Sequence, residues 1–241
     1  MDHIVEATSR SAPVELCDSL FDPLRAPVPE GRSFVIGRVA QSLDGYIATR
    51  TGESVWISGP EDLRHTHQLR ALCDAVVVGA RTIRADNPML TTRLVDGPSP
   101  VRVVLDPDRR LGDGYRVFQG GPETLLLCAE ETARHASGAA TLVPLPRDGD
   151  GLDIAALLAC LRQRGLRRIF VEGGGVTVSR FLAAGALDRL HVTVAPLLMG
   201  GGIPAFPLSP IQRLEDGPRF AWTAHRIGAD ILLDIPLARA G

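Results

Sequence analysis

Apolar residues along the chain fall into short runs that alternate with segments of helical spacing. Strand-like runs cover 34–40, 75–78, 101–105, 124–128, 140–143 and 168–172, and helical spacing covers 61–72, 130–136, 154–164 and 177–184. After residue 190 the apolar runs at 191–198, 220–227 and 231–235 follow one another without helices, and a hairpin turn is expected at 228–230. The pattern predicts one α/β domain with a mixed central sheet, flanking helices and antiparallel C-terminal strands.

The first part of the chain lacks this periodicity. Residues 1–32 contain several prolines, among them Pro23, Pro27 and Pro29, so we predict an extended arm there that wraps the body or a partner subunit. The remaining residues, 33–241, then form the single domain. Because the N-terminus contains no long apolar stretch, neither a signal peptide nor a membrane span is expected, and the predicted location is the cytoplasm.

Composition narrows the class of partner. Of the 241 residues 45% are apolar and 22% are charged, which is typical of a globular protein with a sizeable core. A net charge of −2 lacks the basic excess that nucleic acids or membrane surfaces require, so a small-molecule partner is expected. The cysteines form no Cys-x-x-Cys pair, and His65 and His67 diverge on a predicted helix, so no metal site is predicted.

The most distinctive segment is a strand that runs into a carboxylate and three glycines, at 169–175. A glycine turn before a helix leaves the first helical amides free beside the positive end of the helix dipole, which favours binding of a phosphate group. A tight turn without a ligand is the alternative interpretation. The Rossmann fingerprint is not met, since Val178 stands where the third glycine belongs. Glu172 would repel a phosphate unless it serves a neighbouring ligand, so a nucleotide beside a substrate is predicted.

Two arginines are candidates for holding a substrate phosphate. Arg70 lies on a predicted helix and Arg93 on a predicted loop, and a guanidinium fork matches phosphate oxygens. A solvated helix face is the alternative for Arg70. Residues 86–88, Asp-Asn-Pro, predict a turn when considered alone.

Taken together, the stretches 38–48, 52–57, 69–70, 78–93 and 172–174 resemble the reductase domain of bacterial riboflavin-biosynthesis proteins, which has the dihydrofolate-reductase fold. Each stretch alone is weak, whereas their order and spacing are specific, and the resemblance covers about residues 33 to 237. It implies an NADPH-dependent reductase that converts the ribosyl group of a ribosylaminopyrimidine 5′-phosphate, of the 5-amino-6-(5-phosphoribosylamino)uracil type, to ribityl. A homodimer is implied as well.

The resemblance also assigns site residues. Substrate contacts fall on Ser54, Arg70, Leu90, Arg93 and Glu172. NADPH contacts fall on Gln41, Trp56, Thr82, Asp86, Gly174, Gly175, Val176, Thr177 and Val178, with the start of the last helix at the pyrophosphate. Trp56 fits a core position equally well. Glu172 and Arg38 are the catalytic candidates, and Glu172 would also donate a proton if its carboxyl is protonated.

Departures from the family leave alternatives open. The reductase usually has a lysine where this chain has Arg38, and a planar fork does not replace a flexible point charge. A pterin or another heterocycle therefore remains an alternative substrate. Residues 1–33 lack the zinc deaminase signature of the bifunctional relatives, which predicts a stand-alone reductase. A non-catalytic nucleotide-binding protein is the third hypothesis.

Overall fold

The structure is a computed structural model that describes residues 18–54, 57–133 and 138–238; Trp56 lies outside these ranges. The strands are β1 Phe34–Ser42, β2 Tyr46–Ala48, β3 Ala75–Gly79, β4 Val101–Leu105, β5 Thr124–Ala129, β6 Thr141–Leu145, β7 Arg147–Asp148, β8 Gly151–Leu152, β9 Arg168–Glu172, β10 Arg189–Ala195, β11 Ile203–Pro204, β12 Thr223–Ile227 and β13 Asp230–Pro236. The α-helices are α1 Asp22–Arg25, α2 Pro60–Leu72, α3 Ala80–Asp86, α4 Ile154–Gln163 and α5 Gly175–Ala183. Short 3₁₀ turns cover Asp18–Phe21, Arg116–Phe118, Glu130–Thr132 and Leu214–Asp216.

Within these residues one nine-stranded sheet has the order β12-β13-β10-β1-β9-β3-β4-β5-β6. The strands from β10 to β6 pair in parallel, and β13 is antiparallel to both β10 and β12. The predicted mixed sheet with antiparallel C-terminal strands is confirmed. Because a parallel sheet has to be covered on both faces, its strands are apolar on both sides, as in β3, where Val76, Val77 and Val78 are all fully buried.

Two apolar cores lie on the two faces of the sheet. One contains Val77 with Leu157 of α4 and Phe181 of α5, and the other contains Val76 with Leu69 of α2. α4 and α5 each bury an apolar stripe, whereas α2 buries Leu69 among polar side chains. Leu69, Leu157 and Phe181 are all fully buried. The core therefore fixes where α2 and α5 begin, at the edge of the sheet where the carboxyl ends of the strands lie.

The described part of the N-terminal segment differs from the predicted extended arm. Residues 18–25 form helical turns, and Leu20, Phe21 and Leu24 are buried against the body, each 2% exposed. The guanidinium of Arg168 donates to the carbonyl of Leu24 at 2.7 Å and ties the segment to β9. Residues 1–17 lie outside the described ranges, so an arm there stays a prediction.

The sequence predicts Ser58 as the N-cap of the helix at 61–72 and Asp153 as the N-cap of the helix at 154–164. At α4 the prediction is confirmed, since Asp153 is the N-cap and accepts from the amide of Ala156 at 2.9 Å. At α2 the predicted cap, Ser58, is wrong, because Gly59 is the N-cap and Pro60 follows. The amide of Gly59 donates to Asp230 at 2.7 Å, a partner 171 residues away. In the described ranges no helix is both long and apolar enough to cross a membrane.

Candidate active site

A cavity of about 1000 Å³ opens at the carboxyl ends of β1, β9, β3 and β4. Strand ends of parallel sheets are where α/β proteins bind ligands, because the loops diverge there. Among the residues that line it are Arg38, Ser54, Arg70, Thr82, Asp86, Glu172, Gly174, Gly175, Val176 and Thr177. The end of β9, the start of α5 and helix α3 all contribute residues to its wall. Predicted substrate and cofactor residues therefore lie around one cavity.

The glycine run is shaped by close backbone approaches. Gly173 has a φ of +86°, a conformation that favours glycine. A Cβ on Gly175 would lie 2.3 Å from the carbonyl oxygen of Ala205 and 2.8 Å from that of Pro204, so the backbone after β11 packs directly on it. No side chain caps α5, which starts at Gly175. Free helical amides at a wall without side chains fit the pyrophosphate of a dinucleotide.

Glu172, the last residue of β9, is held by Arg70 of α2. Nε of Arg70 donates to Oε2 at 2.7 Å and Nη2 donates to Oε1 at 2.5 Å, while Nη1 donates to the carbonyl of Thr91 at 3.0 Å. The solvated helix face proposed as the alternative for Arg70 is wrong, since its side chain is only 7% exposed. The fork fixes the carboxylate of Glu172 in one orientation at the cavity wall.

Arg38 lies beside Glu172 but forms its ion pair with a different carboxylate. The two residues are register partners in β1 and β9. The guanidinium of Arg38 pairs with Asp62, in the first turn of α2, and Asp62 also accepts from the hydroxyl of Thr193 at 2.7 Å. Asp62 is fully buried. Sequence reasoning missed it, because nothing local marks a helix-start aspartate as the partner of a strand residue.

Comparison with known proteins decides the family. Residues 33–230 match the RibD C-terminal domain, well over half of the chain. The chain belongs to the RibD C-terminal domain family. The resemblance noted in the sequence is thereby confirmed.

The relatives of this chain include short and long proteins. A 2,5-diamino-6-ribosylamino-4(3H)-pyrimidinone 5′-phosphate reductase from Methanothermobacter thermautotrophicus is 39% identical over 178 residues, which cover 70% of this chain and 81% of that protein. The riboflavin biosynthesis protein RibD from Bacillus amyloliquefaciens is 34% identical over 211 residues, 84% of this chain and 57% of that protein. The chain thus spans little more than half of the longer relative.

A solved structure supports the fold. The diaminohydroxyphosphoribosylaminopyrimidine deaminase/5-amino-6-(5-phosphoribosylamino)uracil reductase from Thermotoga maritima has a TM-score of 0.75 and 29% identity, and the match covers 86% of this chain and 57% of that one. The α/β fold expected from the resemblance to the riboflavin-biosynthesis reductases is confirmed.

Ser54, Thr82 and Asp86 lie on the wall of the cavity. The hydroxyl of Ser54 donates to Asp86 at 3.2 Å, and Thr82 packs against the glycine run. Thr82 and Asp86 lie on α3, a seven-residue helix that the sequence pattern did not predict. The turn predicted at 86–88 is the end of this helix, where Asn87 has a φ of +42°. Desolvation raises the pKa of Asp86, and the negative charge of Glu172 raises it further. The hydrogen bond from Ser54 lowers the pKa in part.

Four of the residues assigned by resemblance do not line this cavity. They are Gln41, Leu90, Arg93 and Val178. Leu90 and Val178 lie in the apolar cores, 1% and 0% exposed, and Arg93 is exposed on the loop beside Arg70. Their contacts with ligands stay predictions, as does that of Trp56. Among the residues that the structure describes, no group of three or more His, Cys, Asp or Glu side chains could hold a metal ion.

His67 lies between Arg70 and the loop that carries Arg93. Its Nδ1 accepts from the amide of Arg93 at 2.8 Å, which requires a neutral ring with the proton on Nε2. Burial, followed by the positive charges of Arg70 and Arg93, lowers the pKa of His67 to about 4. The bond from His67 to the loop that carries Arg93 therefore forms only while His67 is uncharged.

We expect the protein to lose stability on acidification between pH 6.5 and about 4 because of His67. In that range His67 is protonated in the unfolded chain but neutral in the folded protein. The free energy of unfolding therefore falls as the pH falls, by about 1–2 kcal/mol from this residue. Burial lowers the pKa of His65 and His191 as well, in the same direction. Urea unfolding at pH 7.5 and pH 5, both chosen for the experiment, measures the change.

The control is His67→Asn, whose side-chain oxygen can accept the amide of Arg93 without titrating. This variant should show a shallower pH dependence than the unaltered protein. Equal slopes for the two proteins would contradict the assignment of the effect to His67.

Proposed function

We propose that this protein is an NADPH-dependent reductase that converts the ribosyl group of a ribosylaminopyrimidine 5′-phosphate to ribityl in riboflavin biosynthesis. The observation that carries the proposal is the placement of Glu172, fixed by Arg70, directly before the glycine run in one cavity. A carboxylate at that point is adjacent to both ligands. The reductase name of the Methanothermobacter relative supports the same reaction class.

The residues present fit a dinucleotide. NADPH, when bound, supplies a hydride, and the protein has to orient it and exclude water. The amides at the start of α5 would hold its pyrophosphate. Arginines Arg81, Arg84, Arg110 and Arg180 line the same cavity, and a guanidinium suits the additional phosphate that distinguishes NADPH from NADH.

On the substrate side the chain offers acceptors and cations. Reduction of the sugar carbon adds a hydride to that carbon and a proton to the nitrogen or oxygen that was doubly bonded to it. Glu172, with both oxygens engaged by Arg70, is placed to accept hydrogen bonds from sugar hydroxyls and to hold the carbon in one position. Arg93, on the loop beside Arg70, is proposed for the substrate phosphate.

We also propose a cytoplasmic homodimer. Large apolar side chains are exposed on the hairpin at the edge of the sheet: Trp222, directly before β12, is 59% exposed, and Ile231 of β13 is 50% exposed. Exposed apolar groups of this size in one region favour association. A second copy of the chain is the proposed partner.

The function is tested with purified protein, NADPH or NADH, and three substrates in separate assays. They are the deaminated ribosylaminouracil phosphate, its diamino precursor and a dihydropterin. We expect loss of nicotinamide absorbance with one of the two pyrimidines, with kcat/KM at least about tenfold higher for NADPH, one cationic contact being worth about that factor. Turnover of the pterin alone would support the alternative substrate. NADPH binding without turnover of any of them would sink the enzyme assignment.

A further inference from the structure

Arg38 and Arg70 both line the cavity in which the carboxylate of Glu172 lies. Arg38 and Glu172 are register partners in adjacent parallel strands, so their side chains leave the same face of the sheet with backbones about 4.8 Å apart. Arg70 reaches Glu172 from α2 and engages both of its oxygens. Without another anion, Arg38 would be drawn to Glu172 as well.

Asp62 supplies that other anion. It pairs with Arg38, accepts from Thr193 at 2.7 Å, and lies three residues after the N-cap of α2, where the helix dipole stabilises a negative charge. A fully buried carboxylate needs such partners to remain charged. Nε of Arg38 is buried and has no hydrogen-bond partner among the described residues, so Asp62 is what holds this guanidinium.

We propose that Asp62 is a positioning residue that keeps Arg38 away from Glu172. The arrangement gives each arginine its own carboxylate, Arg38 with Asp62 and Arg70 with Glu172. Glu172 then presents its remaining lone pairs to the cavity, and Arg38 stays in the cavity wall as a fixed donor. Neutralising Asp62 frees Arg38 to move onto Glu172, where a second guanidinium occupies the lone pairs that a substrate would use.

The catalytic consequence rests on the proposed function, whereas the position of Arg38 does not. The test therefore has a structural and a kinetic measurement on Asp62→Asn. Asp230→Asn is the matched control, since Asp230 is a buried carboxylate that bonds to the same helix start and lies within the field of Arg38, whereas the ion pair of Arg38 is with Asp62. Thermal melts establish that both variants fold.

In a crystal structure of Asp62→Asn we expect the guanidinium of Arg38 within hydrogen-bond distance of Glu172, and no such shift in Asp230→Asn. In kinetics we expect kcat of Asp62→Asn to fall at least about tenfold with the NADPH KM within about threefold, and Asp230→Asn to stay within about twofold.

An Arg38 that stays against residue 62 in the Asp62→Asn crystal structure would overturn the proposal, as would equal kinetics for the two single variants. If Asp62→Asn does not fold, Asp62→Ser, which leaves room for a water molecule, takes its place in both measurements. If the unaltered protein turns over no pyrimidine, the proposed function fails, and the crystallographic position of Arg38 still decides the role of Asp62.

Discussion

Replacing Glu172 by glutamine is expected to lower kcat about 10²- to 10³-fold. The amide keeps the shape of the side chain and one acceptor, but it loses the charge that Arg70 engages through two donors. The guanidinium of Arg70 would then hold residue 172 less firmly, so the side chain proposed to position the sugar carbon would no longer be fixed. NADPH oxidation followed by nicotinamide absorbance measures kcat, and fluorescence titration measures NADPH affinity, which we expect to change less than about threefold.

A matched exposed residue provides the control for this variant. Glu123 precedes β5 far from the cavity, so Glu123→Gln should leave kcat unchanged. Because Glu172→Gln leaves a nearly buried guanidinium with a weaker partner, unfolding should become about 2 kcal/mol easier, and assays have to be run where the variant is fully folded. A variant that is folded and retains more than half of the original kcat would remove Glu172 from the mechanism.

The second large effect is expected from Gly175→Ala. The new methyl group would overlap the carbonyl oxygen of Ala205, 2.3 Å from the position of its Cβ, and neither backbone can yield without moving the start of α5 or the segment after β11. We expect a loss of about 3 kcal/mol of unfolding free energy and an NADPH Kd raised at least about tenfold, because the helical amides shift. Thermal melts and NADPH titration measure the two effects.

Gly114→Ala is the matched control, because a Cβ on Gly114 meets no atom within 4 Å. It should bind NADPH and melt like the unaltered protein. If Gly175→Ala bound NADPH with unchanged affinity, the start of α5 would not be the pyrophosphate site.

Much of the fold could be predicted because it depends on patterns of residues that are close together in the sequence. The buried run of β3 and the cap at Asp153 depend on residues that lie next to one another in the chain. The missed features depend on distant partners instead. Ser58 is a good N-cap by sequence, yet Asp230 from the C-terminal hairpin takes the amide of Gly59 and moves the start of α2 by one residue. No sequence window contains both residues.

In the candidate site, too, the features set by neighbouring residues were predicted and those set by distant partners were missed. The glycine run and Glu172 were found because they adjoin a strand end, which a pattern can locate. Asp62 was missed because its importance comes from Arg38, on a strand that reaches it only in the folded protein. α3 was missed because seven residues are too few for helical spacing to stand out, so Asn87 and Pro88 after it were the only visible signals.

The place of β1 in the sheet has a consequence for how the protein is made. Its two neighbours, β9 and β10, are encoded more than half a chain length later. During synthesis from the N-terminus, β1 therefore leaves the ribosome with both edges unpaired and with the apolar side chains of Val35, Ile36 and Val39 exposed. The strand that carries Arg38 therefore stays unpaired until β9 and β10 have been made, so the centre of the sheet can close only late in synthesis.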